Sequence, residues 1–127
     1  MRRNPRILVV DDDAHIREAL AQLLAMWGYE SETASDGIEA LEKIDSQAPD
    51  VVIADLHMPR MGGMDLIEAL HISAPDMSCI VVTADGGSER VAQAARLGVV
   101  YFLEKPINPQ VLQTDLQKCL EHSAVWT

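Results

Sequence analysis

Ile7-Leu8-Val9-Val10-Asp11-Asp12-Asp13 is an unbroken apolar run that stops against three acids. A continuous apolar run of this length suits a strand buried on both faces, as in a parallel sheet. The acids mark the point where that strand leaves the core. Asp13 is placed to cap the helix that follows, in which Ile16, Ala19, Leu20, Leu23, Leu24 and Trp27 recur at helical spacing on one face. Gly28 closes that helix, as a glycine just past a helix end commonly does.

The same strand-then-helix unit repeats outward from this start. Tyr29 to Ala34 alternates with polar residues and predicts a strand near a sheet edge. Ser35 or Asp36 opens a helix with Ile38, Leu41 and Ile44 inward, which Ala48-Pro49 ends. Val51-Val52-Ile53-Ala54 is wholly apolar and predicts a central strand. A loop from Met58 to Gly63, containing Pro59 and Gly62-Gly63, leads to a helix from Met64 to Ile72, and Pro75 breaks the chain again. Ser78 to Thr83 reads as the fourth strand, Gly86-Gly87 as a flexible connection, and Ser88 as the cap of a helix carrying Val91, Ala94, Ala95 and Leu97 as far as Gly98. Val99 to Leu103 reads as the fifth strand. Asn108 and Pro109 open a last helix with Val111, Leu112, Leu116, Cys119 and Leu120 on its apolar face. Five such units in order predict an α/β domain, a parallel sheet with helices on both faces and a doubly wound topology. A single domain is expected over residues 1–127, with its core at about 6–121.

The chain has 127 residues, of which 48% are hydrophobic and only 4% aromatic, so the core must be built from Leu, Ile, Val, Ala and Met. A formal net charge of −10 disfavours nucleic acid or an anionic membrane as a partner of this domain, because both repel a polyanion. Cys79 and Cys119 show no metal or redox spacing and read as structural thiols in a reducing compartment. His15, His57, His71 and His122 are scattered without ligand spacing, and Trp27 and Trp126 read as a packing and a tail residue. Met1-Arg2-Arg3-Asn4-Pro5 leads straight into the first strand with no signal peptide, and no apolar stretch approaches the roughly 20 residues of a membrane span. A cytoplasmic location is the expectation.

Ligands of an open parallel sheet bind at the carboxyl ends of its strands. The first strand ends in Asp11-Asp12-Asp13, the third in Asp55, the fourth in Thr83, and the fifth is followed by Glu104-Lys105-Pro106. Carboxylates gathered this way repel one another unless a cation sits among them. Mg²⁺ suits such a set, taking oxygen ligands and keeping waters that leave room for phosphate oxygens. Lys105 adds a mobile positive charge and Thr83 a hydroxyl. These parts fit phosphoryl transfer, in which positioning and charge neutralisation do most of the work, with Asp55 as nucleophile and acceptor.

These residues resemble the receiver domains of two-component response regulators, including the single-domain chemotaxis receiver. The resemblance rests on Ile7 to Asp13, Asp50-Val51-Val52-Ile53-Ala54-Asp55-Leu56-His57-Met58-Pro59, Val81-Val82-Thr83-Ala84 and Phe102-Leu103-Glu104-Lys105-Pro106, in order and at these separations. It implies a flavodoxin-like three-layer sandwich with strand order 2-1-3-4-5. It implies that Asp55 is the phospho-acceptor, with Mg²⁺ (or Mn²⁺ in its place) bound by Asp12, by Asp11 largely through water, by Asp55 and by the backbone carbonyl of His57. Thr83 and the N–H of Ala84 would bond the phosphoryl group, Lys105 would pair with it, and the Lys105–Pro106 bond would be cis. Thr83 and Phe102 would form the switch that reshapes the face of the fourth helix, fifth strand and fifth helix. The implied partners are a sensor histidine kinase or histidine phosphotransfer protein, and a downstream effector or second copy at that face. Such a domain is a signalling switch rather than an enzyme acting on other substrates.

Some positions depart from the family pattern. Gly62 stands where Asp is usual, Val99 where a small Ala is usual, and Phe102 lacks the hydroxyl of a tyrosine. His57 and Asp85 occupy positions that tune acyl-phosphate lifetime in the family. The rival readings are a haloacid-dehalogenase-like phosphatase, a flavodoxin-like cofactor binder and a degenerate receiver that only binds. The first needs Thr where His15 stands, the second glycines and hydroxyls where Asp12-Asp13-Ala14 stand, and the third an incomplete acid, Thr and Lys set. The sequence leaves open a complete single-domain regulator or a receiver cut from a longer protein.

Overall fold

The computed structural model describes residues 4–58, 61–84, 86–87 and 89–121. Strands β1 (Arg6–Val10), β2 (Glu30–Ala34), β3 (Val51–Asp55), β4 (Ser78–Thr83) and β5 (Tyr101–Glu104) alternate with helices α1 (Ala14–Met26), α2 (Gly37–Ser46), α3 (Gly63–Ser73), α4 (Glu89–Arg96) and α5 (Pro109–Glu121). All pairings are parallel, and the order is β2-β1-β3-β4-β5. This is the doubly wound α/β sheet expected from the sequence, with the polar-rich β2 at an edge and the apolar β3 at the centre. The expected roles of Pro59, Asp85, Ser88, His122 and Trp126 fall outside the described residues.

The two faces of the sheet explain the unbroken apolar runs. Ile7, Val9, Val51, Ile53, Ile80 and Val82 pack against Leu20 and Leu24 of α1 and Leu112 and Leu116 of α5. Their neighbours Leu8, Val10, Val52 and Ala54 point the other way, onto Ala40 of α2 and Leu66 and Leu70 of α3. Each fully buried aliphatic side chain contributes roughly 2 kcal/mol over its exposed state, so a polar residue in either register would be costly. A third cluster joins Leu56, Ile67 and Val81 to Ala94 of α4, with Phe102 of β5 packed against it.

Local signals set the helix ends. The Asp13 carboxylate accepts from His15 N–H (2.9 Å), and that of Asp36 from Glu39 N–H (2.9 Å). Glu39 in turn accepts from Ser35 N–H (2.8 Å), and Asn108 accepts from Gln110 N–H (2.9 Å). Such caps satisfy amides that have no partner inside the helix. Gly28 closes α1 at φ +87°, a conformation that favours glycine.

The structure corrects several assignments of detail. Val99 and Val100 precede β5 instead of opening it, since pairing starts where Tyr101 meets Ile80, and Val100 is 74% exposed. Ile38 and Val111 point outward, 40% and 43% exposed, and Ala19 and Ala95 are exposed as well. The inward face of α2 is carried by Gly37 and Ala40, with Leu41 and Ile44 half-buried.

Gly62 is the N-cap of α3 and offers no side-chain cap. Its φ of −76° and an open Cβ position, 3.5 Å from the nearest carbonyl, accept a side chain without strain. Gly62→Asp is therefore expected to stabilise the fold by about 0.5–1 kcal/mol, through the added cap and a less flexible unfolded chain. The urea midpoint measures this; an unchanged or lower midpoint contradicts it.

Candidate functional site

β1, β3 and β4 deliver three buried polar side chains to one edge of the sheet. Asp11 directly follows β1, Asp55 ends β3 and Thr83 ends β4, and they are 3%, 4% and 0% exposed. The register sets Val10 beside Ala54 and Asp55 beside Val82, so Asp11, Asp55 and Thr83 emerge within one residue of each other along the strand direction. Asp12 lies one residue farther out and is exposed. Carboxylate oxygens of Asp11, Asp12 and Asp55 lie within 4.8 Å of one another.

Lys105 reaches this cluster from the end of β5. Its backbone N–H donates to the Thr83 carbonyl (2.9 Å), and the Lys105–Pro106 peptide is cis, as the family resemblance implied. Its Nζ donates to Asp55 Oδ2 at 2.8 Å and lies 3.4 Å from Asp11 Oδ2. Asp55 Oδ1 accepts from His57 N–H (2.9 Å), so both oxygens of the Asp55 carboxylate are held in place. Asp11 Oδ1 accepts from Asp13 N–H (2.8 Å), and the Asp11 carbonyl accepts from Arg17 (2.6 Å).

The electrostatics follow from burial and crowding. Burial pushes the Asp11 carboxyl above its ordinary value, with the Asp55 charge adding to it, against the opposing pull of the Asp13 N–H and Lys105. Burial works against the Lys105 charge, but the hydrogen bond to Asp55 and the charges of Asp11 and Asp55 outweigh it, and its pKa is raised. One ammonium among three carboxylates leaves the cluster short of positive charge. The donors are all oxygen, and exposed Asp12 leaves one side open. That fits a hard divalent cation that keeps part of its water shell.

Phe102 lies in β5 opposite Val81, half-buried against the cluster that includes Ala94 of α4. His57 is exposed, and its Nδ1 lies 2.7 Å from Arg90 Nη1 in the first turn of α4. The sequence reading missed Arg17 and Arg90. Arg17 stands one helical turn after the Asp13 cap, which could have drawn attention to it. Arg90 is separated from His57 by 33 residues, and no local pattern links them.

The family described as "Response regulator receiver domain" matches residues 7–117. The chain belongs to this family. Response regulator MprA of Mycobacterium ulcerans is 40% identical to this receiver over 119 residues, covering 93% of the receiver and 51% of MprA. The receiver thus spans about half the length of the curated relatives it matches. A CheY-like receiver domain protein from Methanospirillum hungatei is similar in structure, with TM-score 0.89 and 33% identity over 94% of this chain and 95% of that one. The signal receiver domain of an HD domain-containing protein from Pseudomonas fluorescens gives TM-score 0.89 and 35% identity over 94% and 97%. This is therefore the receiver domain of a two-component response regulator, and the phosphatase and cofactor-binder readings fall away. No helix among the described residues is long and apolar enough to cross a membrane.

Proposed function

We propose that this receiver accepts a phosphoryl group on Asp55 from a phosphohistidine of a sensor histidine kinase or phosphotransfer protein. An Asp55 carboxylate oxygen attacks phosphorus, the N–P bond of the donor breaks, and its imidazole leaves with the bonding pair. Asp11, Asp12, Asp55 and the His57 carbonyl would hold Mg²⁺, for which Mn²⁺ can substitute. The ion would neutralise charge on the transferring group. Lys105 passes from the Asp55 carboxylate to a phosphoryl oxygen, and Thr83 donates its hydroxyl to another. Thr83 and the hydroxyl-free Phe102 then transmit the change to the α4-β5-α5 face, where an effector or second copy docks. The receiver acts in the cytoplasm, where reducing conditions suit the free Cys79 and Cys119.

The observation that carries this reading is the packing of three carboxylates within 4.8 Å, with Lys105 Nζ 2.8 Å from Asp55. Structural caps do not need such a concentration of acids. Incubation with acetyl phosphate and Mg²⁺ is expected to add the mass of one phosphoryl group, labile in base and lost when a chelator removes the ion. Repeated turnover of phosphoesters, or an unchanged mass, would count against it. Mg²⁺ alone, at about one hundred times its dissociation constant, should stabilise the fold by about 2.7 kcal/mol, read as a higher melting temperature.

A further inference from the structure

α4 is the most lightly anchored helix. It has eight residues, of which Ala94 alone is buried, and Val91 is half-buried beside it. Polar tethers supplement this small apolar contact. Gln93 Nε2 lies 3.4 Å from Glu68 Oε1 on α3, and Arg90 Nη1 lies 2.7 Å from His57 Nδ1. A guanidinium carries only donors, so His57 Nδ1 is the acceptor in this contact. The same His57 donates its backbone N–H to Asp55 Oδ1 at 2.9 Å. Two hydrogen bonds and one histidine therefore connect the acceptor carboxylate to the first turn of α4.

A ring nitrogen is a single, weak acceptor for a group whose forked donors suit anionic oxygens better. A phosphoryl group on Asp55 brings roughly −1.5 to −2 charge and three strong acceptor oxygens. Arginine is suited to such oxygens by its fixed fork of donors and its permanent charge. Resting on the phospho-acceptor reading above, we infer that Arg90 is a positioning residue that couples occupancy of Asp55 to the placement of α4. In the unmodified receiver the guanidinium is parked on His57; once Asp55 carries a phosphoryl group it transfers to a phosphoryl oxygen and draws the first turn of α4 toward the site. This route runs through the loop after β3, separate from Thr83 and Phe102, and does not depend on the hydroxyl that Phe102 lacks.

The test uses the full chain with Mg²⁺ and beryllium fluoride, a stable mimic of the phosphoryl group, at concentrations that saturate each variant. Amide hydrogen exchange is followed across Glu89–Arg96. Loading of the unchanged chain is expected to slow exchange in α4 by about fivefold, the factor that one exposed ion pair near the top of its usual range provides. In Arg90→Gln most of that difference should be lost, the remainder being what Thr83 and Phe102 carry to the same face, and Arg90→Lys should restore part of it. A merely structural Arg90 would speed exchange in both states of Arg90→Gln and leave their ratio unchanged, which would overturn the inference alone. Failure of the unchanged chain to bind beryllium fluoride or to take a phosphoryl group from acetyl phosphate would instead overturn the phospho-acceptor reading.

Discussion

Asp55→Asn is expected to abolish uptake of a phosphoryl group and to leave the fold standing. An amide cannot attack phosphorus as a carboxylate does, so mass spectrometry after acetyl phosphate and Mg²⁺ should show no phosphorylated species where the unchanged chain shows one. The fold survives because Asn matches Asp in shape, and its carbonyl oxygen can still accept from the His57 N–H, which bonds Asp55 Oδ1 at 2.9 Å. Two changes then oppose each other. The new amide faces the Lys105 ammonium, donor against donor, where a carboxylate oxygen lay at 2.8 Å. Against this, one of three crowded negative charges is gone. The net change is expected within about 1 kcal/mol in either direction. Asp11 supplies a further readout. Its pKa is raised mainly by burial and further by the Asp55 charge, so removing that charge lowers it. A carboxyl raised in the folded state binds more protons there than in the unfolded chain, so it costs stability as pH climbs from the ordinary carboxylate value through the raised one. That loss should be smaller in Asp55→Asn, as urea midpoints across this window would reveal. Phosphoryl uptake by the variant would mean that another residue is the acceptor.

How much of this was legible in the sequence depends on whether the signal was local. The caps Asp13, Asp36 and Asn108 act within three residues of themselves, and each was visible as a short polar residue before a periodic run. The interior strands were visible because burial on both faces demands unbroken apolar runs such as Val51–Ala54. The convergence of Asp11, Asp55, Thr83 and Lys105 needed one more step, the rule that parallel strands deliver their carboxyl ends to a common edge. What stayed hidden depends on pairs distant in the chain. Val99 and Val100 look like strand, yet β5 begins only where Ile80 offers Tyr101 a partner. Ile38 and Val111 fit a helical stripe but sit on its margin, where a small rotation exposes them. The different exposure of Asp11 and Asp12 follows from alternation along the strand end, while the Arg90–His57 contact has no counterpart in any spacing.

Gly63 is where the fold and the site are most tightly joined, and the sequence showed it only as half of a loop's glycine pair. It is the first residue of α3 and is buried. A Cβ there would lie 2.1 Å from the Asp55 carbonyl oxygen and 2.8 Å from Leu56 Cα. Both are backbone atoms of the segment leaving β3, so neither can swing aside as the end of a side chain can. Gly63→Ala forces α3 to retreat from the sheet or the Asp55–Leu56 peptide to turn. The first opens the contact of Leu66 and Leu70 with β3, and the second displaces the Asp55 carboxylate from Lys105. Overpacking of this kind is expected to cost about 3 kcal/mol, read as a lower urea midpoint. Phosphoryl uptake should also slow in the fraction that remains folded, because transfer depends on positioning held to a fraction of an ångström. Gly62→Asp, one residue earlier, adds a larger side chain and should raise the midpoint. Opposite effects at neighbouring glycines would show that close backbone approach, and not loop flexibility, is what Gly63 provides. A Gly63→Ala protein as stable as the unchanged chain would mean that the start of α3 has room the structure does not show.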